Sequence, residues 1–371
     1  MKKFKLFQIT LILVIFAIAL AACSTTDSGN ETNPPADNET TVLPDETDAG
    51  DETDAAEKTE EIQETDAPEE TDAPPLTEVE IVDAHGTIIV PVNPQTVVSL
   101  DNRTFETLSD WGISLAAVPK AVMPEGSPYV ADDSVLDIGD HREPKLELLA
   151  AADPDLVIVG QRFAAFYEDI KELVPNATVI DLTFDVSEAS DTAGMNLYNG
   201  LIDATLNLGK IFDKNDEAQA LVDEFTLLVE DVKEAYTGSD TVLSVVVSGG
   251  NIGNSTPGSG RVWGPLYELF DWVPALQVEG STSDHQGDDI SDESIAQSNP
   301  DWIMVLDRDA AVSSTTDATP AEDVIDNAPA LQKVSAIVEE QVIYAPNDTY
   351  TNESIETFIE LFQNLLAAFS K

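Results

Sequence analysis

Cysteine, histidine and arginine are all scarce in this chain of 371 residues. The single cysteine, Cys23, leaves no intramolecular disulfide to form. The three histidines, His85, His141 and His285, stand far apart and in no metal-ligand spacing, which argues against a bare zinc or manganese site. There is no Ser-His-Asp nucleophile elbow and no paired cysteine, so no enzyme chemistry is legible. The glycine-rich run Ser248-Gly249-Gly250-Asn251-Ile252-Gly253 lacks the lysine of a P-loop and the third glycine of a dinucleotide fingerprint. Only five arginines (Arg103, Arg142, Arg162, Arg261, Arg308) stand against 71 acids, for a net charge of -54. So acidic a chain has no basic footprint for nucleic acid. It also repels anions unless a few cations are focused in one place, so each arginine needs a reason.

The one long apolar run lies at the start. Lys2, Lys3 and Lys5 precede Leu6 to Leu20, and Leu20-Ala21-Ala22-Cys23 follows, the pattern of a lipoprotein signal covering residues 1–22. Cleavage before Cys23 and acylation of its sulfur would hold the protein on the extracytoplasmic face of a membrane by lipid, without a spanning helix. With its one thiol acylated, the chain's lack of disulfides says nothing against that location. Residues 24–76 carry 18 Asp or Glu, one lysine and no aromatic, with Glu-Thr-Asp-Ala at 46, 52, 64 and 70. Such a segment cannot bury a core, and residues 23–76 are expected to form an acidic, disordered tether. The remainder, 77–371, keeps a net charge of -40 and is long enough for two α/β lobes.

One unit in that remainder is written twice. Glu147, Pro154-Asp155 and Arg162 recur as Glu293, Pro300-Asp301 and Arg308 in ELLAAADPDLVIVGQR and ESIAQSNPDWIMVLDR. Each copy predicts a short helix, a Pro-Asp turn, a buried strand and an arginine at the strand's carboxyl end, where open α/β sheets bind ligands. Arg261 follows the glycine loop Pro257-Gly258-Ser259-Gly260 and completes a set of three. Three forked guanidiniums favour an anionic, aromatic ligand, although each could instead pair with a nearby acid such as Asp307 or Asp309. Arg103, just past the first buried strand, and Arg142 are further cationic candidates, while Trp263, Phe163 and Tyr350 are candidate ring partners. His285, in a polar loop, either faces a ligand or is simply exposed. Glu147 and Glu293 read as solvated helix acids or as matching acidic knobs for a two-fold partner.

Residues 79–92 predict a hairpin turning at His85-Gly86, and short strands then alternate with helices. Two long helices, 195–212 and 216–236, interrupt that alternation and suggest a helical connector. The expected organisation is an N-terminal lobe 77–190, a connector 191–237 and a C-terminal lobe 238–371. The fold class is α/β: two Rossmann-like lobes with mostly parallel sheets joined by a long helix, with a ligand cleft between them.

Across 78–370 the chain resembles the bilobal substrate-binding lipoproteins of iron-siderophore ABC importers. The likeness is carried by HGTIIVPVNPQTVVSLDNRTFETLSDWGI, GDHREPKLELLAAADPDLVIVGQR, TPGSGRVWGPLYELF, DHQGDDISDESIAQSNPDWIMVLDRDAA and APNDTYTNESIETF. Within that group it looks most like the branch taking ferric catecholate and petrobactin-type, mixed catecholate-carboxylate, siderophores. The resemblance implies that Arg162, Arg261 and Arg308 surround the anionic Fe(III) complex, and that His285 and Tyr350 ligate iron where the siderophore leaves sites open. It implies that Glu147 and Glu293 dock on arginines of the permease, which a cytoplasmic ATPase drives. No cofactor is implied, and a monomer is expected. Two departures stand out: Thr351-Asn352-Glu353-Ser354 replaces the usual glycine-rich stretch after the tyrosine, and one extra residue precedes Arg261. A haem or corrinoid binder would share the architecture. A lipid-anchored adhesion or structural protein would share the tether but leave the spaced arginines unexplained.

Overall fold

The computed structural model describes residues 76–187, 190–277, 286–312 and 318–371; Cys23, the tether and His285 lie outside them. The first lobe opens with the expected hairpin, β1 (Glu78–Asp83) antiparallel to β2 (Gly86–Pro91), with Gly86 at φ +119° in the turn. Its sheet runs β5-β4-β3-β6-β7, built from β3 (Val97–Ser99), β4 (Leu115–Val118), β5 (Leu136–Asp137), β6 (Leu156–Val159) and β7 (Thr178–Asp181), every pairing parallel. Side chains alternate across a strand. In β6, Leu156 and Ile158 therefore join one core cluster while Val157 and Val159 join the other, and all four are fully buried. Coverage on both faces is why the strand reads as an unbroken apolar run. Helices α1 (Phe105–Asp110), α2 (Pro128–Ala131), α3 (Leu146–Ala151) and α4 (Tyr167–Leu173) connect these strands.

Two long helices follow, α5 (Ala193–Ile211) and α6 (Asn215–Ala235), and they do different things. On α5, Leu197 and Leu201 pack into the second lobe's core, whereas Ala204, Leu208 and Ile211 pack into the first. On α6, Val222, Phe225, Leu228, Val229 and Val232 all belong to the second lobe. The span from one core to the other is thus carried by α5. Gly209 lets the two helices meet, since a Cβ there would lie 2.6 Å from that of Ala218.

The second lobe's sheet is mixed, in the order β11-β9-β8-β12-β13, with β10 (Val273–Pro274) beside the start of β8. Strands β8 (Thr241–Ser248), β12 (Trp302–Asp307) and β13 (Val342–Tyr344) are parallel. The glycine-rich run 248–253 turns back at Gly249-Gly250, both at positive φ, into β9 (Asn251–Asn254), antiparallel to β8 and to β11 (Asp288–Asp289). Glycine makes that tight reversal possible without Cβ strain. Helices α7 (Gly264–Leu269), α8 (Asp292–Ser298), α9 (Arg308–Ala311), α10 (Ala321–Asp326), α11 (Ser335–Val338) and α12 (Ile355–Phe369) complete it.

The repeated unit has matching geometry in both lobes. Asp153 and Asn299, each just before a proline, adopt φ +48° and +44°, the left-handed conformation that ends a helix. Each following aspartate then fastens the neighbouring strand. Asp155 Oδ2 accepts from the backbone N–H of Gln95 and Thr96 at 2.9 Å, and Asp301 Oδ2 accepts from Thr241 N–H at 2.7 Å.

Candidate functional site

Four of the five arginines converge where the carboxyl ends of the central strands face each other. Arg103 follows β3, and its backbone N–H donates to Asp101 Oδ1 at 3.1 Å. Its guanidinium carbon sits 3.9 Å from the centre of the Phe184 ring, and Nη2 donates to Gln161 Oε1 at 3.2 Å and Glu353 Oε2 at 3.4 Å. Arg162, three residues past β6, donates from Nη2 to the Tyr350 carbonyl at 3.1 Å. Arg261 donates to the same carbonyl at 2.9 Å and makes a close ion pair with Glu353 Oε1. Arg308, directly after β12, donates to Ser248 Oγ at 3.2 Å and lies 3.6 Å from Asp309 Oδ1. The Tyr350 ring receives Arg261 at 4.4 Å and Arg308 at 5.3 Å from its centroid.

The loop carrying Arg261 is held under strain. Val262 has φ +62°, a costly conformation for a β-branched residue, on the order of 1–3 kcal/mol. Dense local packing sustains it: a Cβ on Gly260 or Gly264 would lie 2.4 or 2.7 Å from the Thr256 carbonyl oxygen.

Electrostatically the cluster is a concentration of positive charge in low dielectric. Burial, then the neighbouring charge of Arg261, lowers the Arg162 guanidinium to about 10. Burial opposes ionisation of Glu353, but Arg261, Arg103 and Arg162 outweigh it and hold its carboxyl below the usual range. His141 is lowered by burial and then by Arg162. Asp101, wholly buried at the end of β3, is raised by burial to about 6 against the pull of Arg103. Several donors in the cluster have no hydrogen-bond partner among the described residues: Arg103 Nε and Nη1, Arg261 Nε and Arg308 Nε. Buried polar groups are nearly always satisfied. Convergent, unsatisfied guanidinium N–H groups are the chemistry of an oxyanion site.

The other candidates fall in different places. Arg142 is exposed in the loop after Asp140 and does not meet the four. Trp263 is fully buried in the second lobe's core, 6.4 Å from Trp272, so it supports the loop and presents no face to the cleft. Phe163 is likewise core, edge-on to His141 at 6.5 Å. Among the described residues no group of three or more His, Cys, Asp or Glu could hold a metal ion. Glu147 and Glu293 occupy the first turns of α3 and α8, both exposed. Two surface hollows of about 600 and 740 Å³, beside the hairpin and beside α10, have no arginine in their linings, although Phe184, whose ring Arg103 covers, lines the first. A third hollow of about 430 Å³ is lined by Ser248, which accepts from Arg308, and by Gln286 to Asp289.

Sequence reasoning missed Glu353, Asp101, Phe184 and Gln161 as members of the site. For Glu353 the signal was present, as a carboxylate where the resembled family has glycine. The others are brought in by folding alone.

The sequence of residues 97–349 matches the periplasmic binding protein family. The chain belongs to that family. Among curated periplasmic binding proteins and their kin, it is 29% identical over 273 residues to the petrobactin-binding protein YclQ of Bacillus subtilis, covering 72% of this chain and 80% of that one. It is 27% identical over 297 residues to the ferric-anguibactin-binding protein FatB of Vibrio anguillarum, covering 79% and 88%. The crystal structure of YclQ superposes with a TM-score of 0.64 at 25% identity, over 79% of this chain and 99% of that one. The two-lobe α/β fold of this periplasmic binding protein is thus the family's own.

Proposed function

We propose that this binding protein captures an anionic ferric siderophore of catecholate type between its lobes and passes it to an ABC permease. The observation that carries the reading is the meeting of Arg103 and Arg162 from the first lobe with Arg261 and Arg308 from the second, with unpartnered guanidinium nitrogens buried among them. Relatives named for petrobactin and ferric anguibactin support the same ligand class. Charge-assisted bonds of this kind contribute about 1.5–3 kcal/mol each. In this reading the protein binds and releases its ligand.

Cys23 would carry the lipid anchor on the extracytoplasmic face of the membrane, and residues 24–76 would tether lobes 77–190 and 238–371. Glu147 and Glu293 would dock on the two permease subunits, being equivalently placed and exposed. Tyr350, whose ring lies beside Arg261 and Arg308, would cover a catecholate face or reach iron, and His285 would be its partner in that second role.

Intrinsic tryptophan fluorescence titration against ferric catecholates, ferric hydroxamates, ferric citrate and haem tests the reading. A ferric catecholate should bind below micromolar, and Arg162→Ala or Arg261→Ala should weaken it roughly 10- to 100-fold. Absence of catecholate binding, or unchanged binding in all of Arg162→Ala, Arg261→Ala and Arg308→Ala, refutes it.

A further inference from the structure

The carboxylate of Glu353 lies inside the arginine cluster, not at its rim. One oxygen faces Arg103 Nη2 at 3.4 Å and the other pairs closely with Arg261 Nη2, so a single buried anion joins a cation from each lobe. Both side chains of the Arg103 pair are almost wholly covered, at 3% and 9% exposure, so solvent screens this pair little. Arg308, in turn, has Asp309 Oδ1 at 3.6 Å. The four guanidiniums are therefore faced by two carboxylates, and Asp101 adds negative charge behind the backbone of Arg103. Donor capacity remains plentiful while net positive charge is cut, since a carboxylate accepts few of the available N–H groups. A site of that kind can make many hydrogen bonds to ligand oxygens but has a limited capacity to neutralise charge.

We infer that Glu353 is a specificity-determining residue: a fixed internal anion that biases the cleft toward ferric complexes of low net negative charge and against trianionic ones. The inference rests on reading the cleft as a ferric-siderophore site. A like charge held a few ångströms from the ligand in a poorly screened cleft penalises each added ligand charge, so the discrimination grows with charge. Glu353 would act by repulsion, while the arginines supply the attraction.

Titrations of the full chain and of Glu353→Gln with two ferric complexes decide the matter: a hexadentate tris-catecholate, which is trianionic, and a tetradentate bis-catecholate, which is monoanionic. Glu353→Gln should raise affinity for the trianion at least about tenfold more than for the monoanion. Equal gains for both, or losses for both, overturn the inference, because a simple competitor or a structural support would give those results. Glu353→Ser, smaller and also neutral, repeats the comparison should the glutamine variant fold poorly. Pyrophosphate alone supplies a readout free of iron. It should raise the melting temperature of Glu353→Gln by more than that of the unchanged chain, and an equal shift in the two also overturns the inference. If neither ferric complex binds either protein while the pyrophosphate difference persists, the siderophore reading fails and the charge role of Glu353 stands.

Discussion

Glu106 Oε2, on the first lobe, accepts a 2.9 Å hydrogen bond from Asn352 Nδ2 on the second. The same oxygen accepts from the hydroxyls of Ser354 and Thr357, so one carboxylate on α1 gathers three donors at the start of α12. Ser354 is also the N-cap of α12, its Oγ accepting from Thr357 N–H at 3.1 Å. Glu106→Ala removes the acceptor these donors share, leaving Asn352 Nδ2 with Asp348 Oδ2 and the two hydroxyls only with each other, at a cost of about 2 kcal/mol in urea unfolding. Glu168→Ala, which removes an exposed pair with Lys171 at 3.7 Å, should change stability by no more than about 0.5 kcal/mol. Equal effects from the two variants would contradict a structural role for the seam.

Glu356 sits in the same seam, accepting from Thr107 Oγ1 at 2.9 Å, with Glu106 nearby. Burial raises its carboxyl from 4.5 to about 7, with the charge of Glu106 adding to the rise. Below pH 4.5 both folded and unfolded chains hold this proton. Between 4.5 and 7 the folded chain keeps a proton that the unfolded chain has released, so stability falls as pH rises and levels off above 7. The loss is about 3 kcal/mol at most, and Asp101, raised to about 6, adds a loss of the same sign at lower pH. Glu356→Gln keeps the hydrogen bond and carries no titrating proton. Its urea-unfolding free energy should fall less between pH 5 and 7.5 than that of the unchanged chain; parallel profiles would reject the assignment.

Gly160, between β6 and Arg162, has the Asp101 side chain against it. An added Cβ would lie 2.2 Å from Asp101 Cγ. Gly160→Ala must push away a buried aspartate whose carboxylate accepts the backbone N–H of Arg103, so one methyl disturbs the first lobe's contribution to the cleft. Overpacking of this kind costs about 1–3 kcal/mol. Gly126→Ala, where a Cβ meets nothing within 4 Å, is the control and should be near neutral. Calorimetric melting of both variants separates the two outcomes.

Much of this was legible in the sequence because the repeated unit encodes its own geometry. A residue that accepts left-handed backbone, then proline, then a strand-fastening aspartate, then four or five apolar residues leaves an arginine at the sheet edge in both lobes. What escaped was long-range. Arg103 and Glu353 are 250 residues apart, and no local period brings them together. Trp263 illustrates the opposite error, since a tryptophan two residues from a cleft arginine points into the core when Val262 turns the chain at positive φ. Likewise α5 and α6 have similar helical periodicity, and only the partners of their apolar faces reveal that α5 alone spans the two cores.

Glu147 and Glu293 stand at equivalent positions of the two copies, each in the first turn of the short helix that precedes the cleft strand. Acids there are favourable to each helix by about 0.3–1 kcal/mol. The docking role proposed for them, on basic groups of two permease subunits, would use the two copies alike. Reversal to Glu147→Arg and Glu293→Arg together should abolish iron uptake by cells that depend on this protein, and either change alone should reduce it. Ligand titration should be unaffected, because both side chains are exposed and neither contacts the arginine cluster. Uptake of radiolabelled ferric siderophore measured beside fluorescence titration of the purified variants gives both readouts. Uptake that survives the double reversal removes the docking role, whereas weakened ligand binding would place these helices in the cleft's own mechanics.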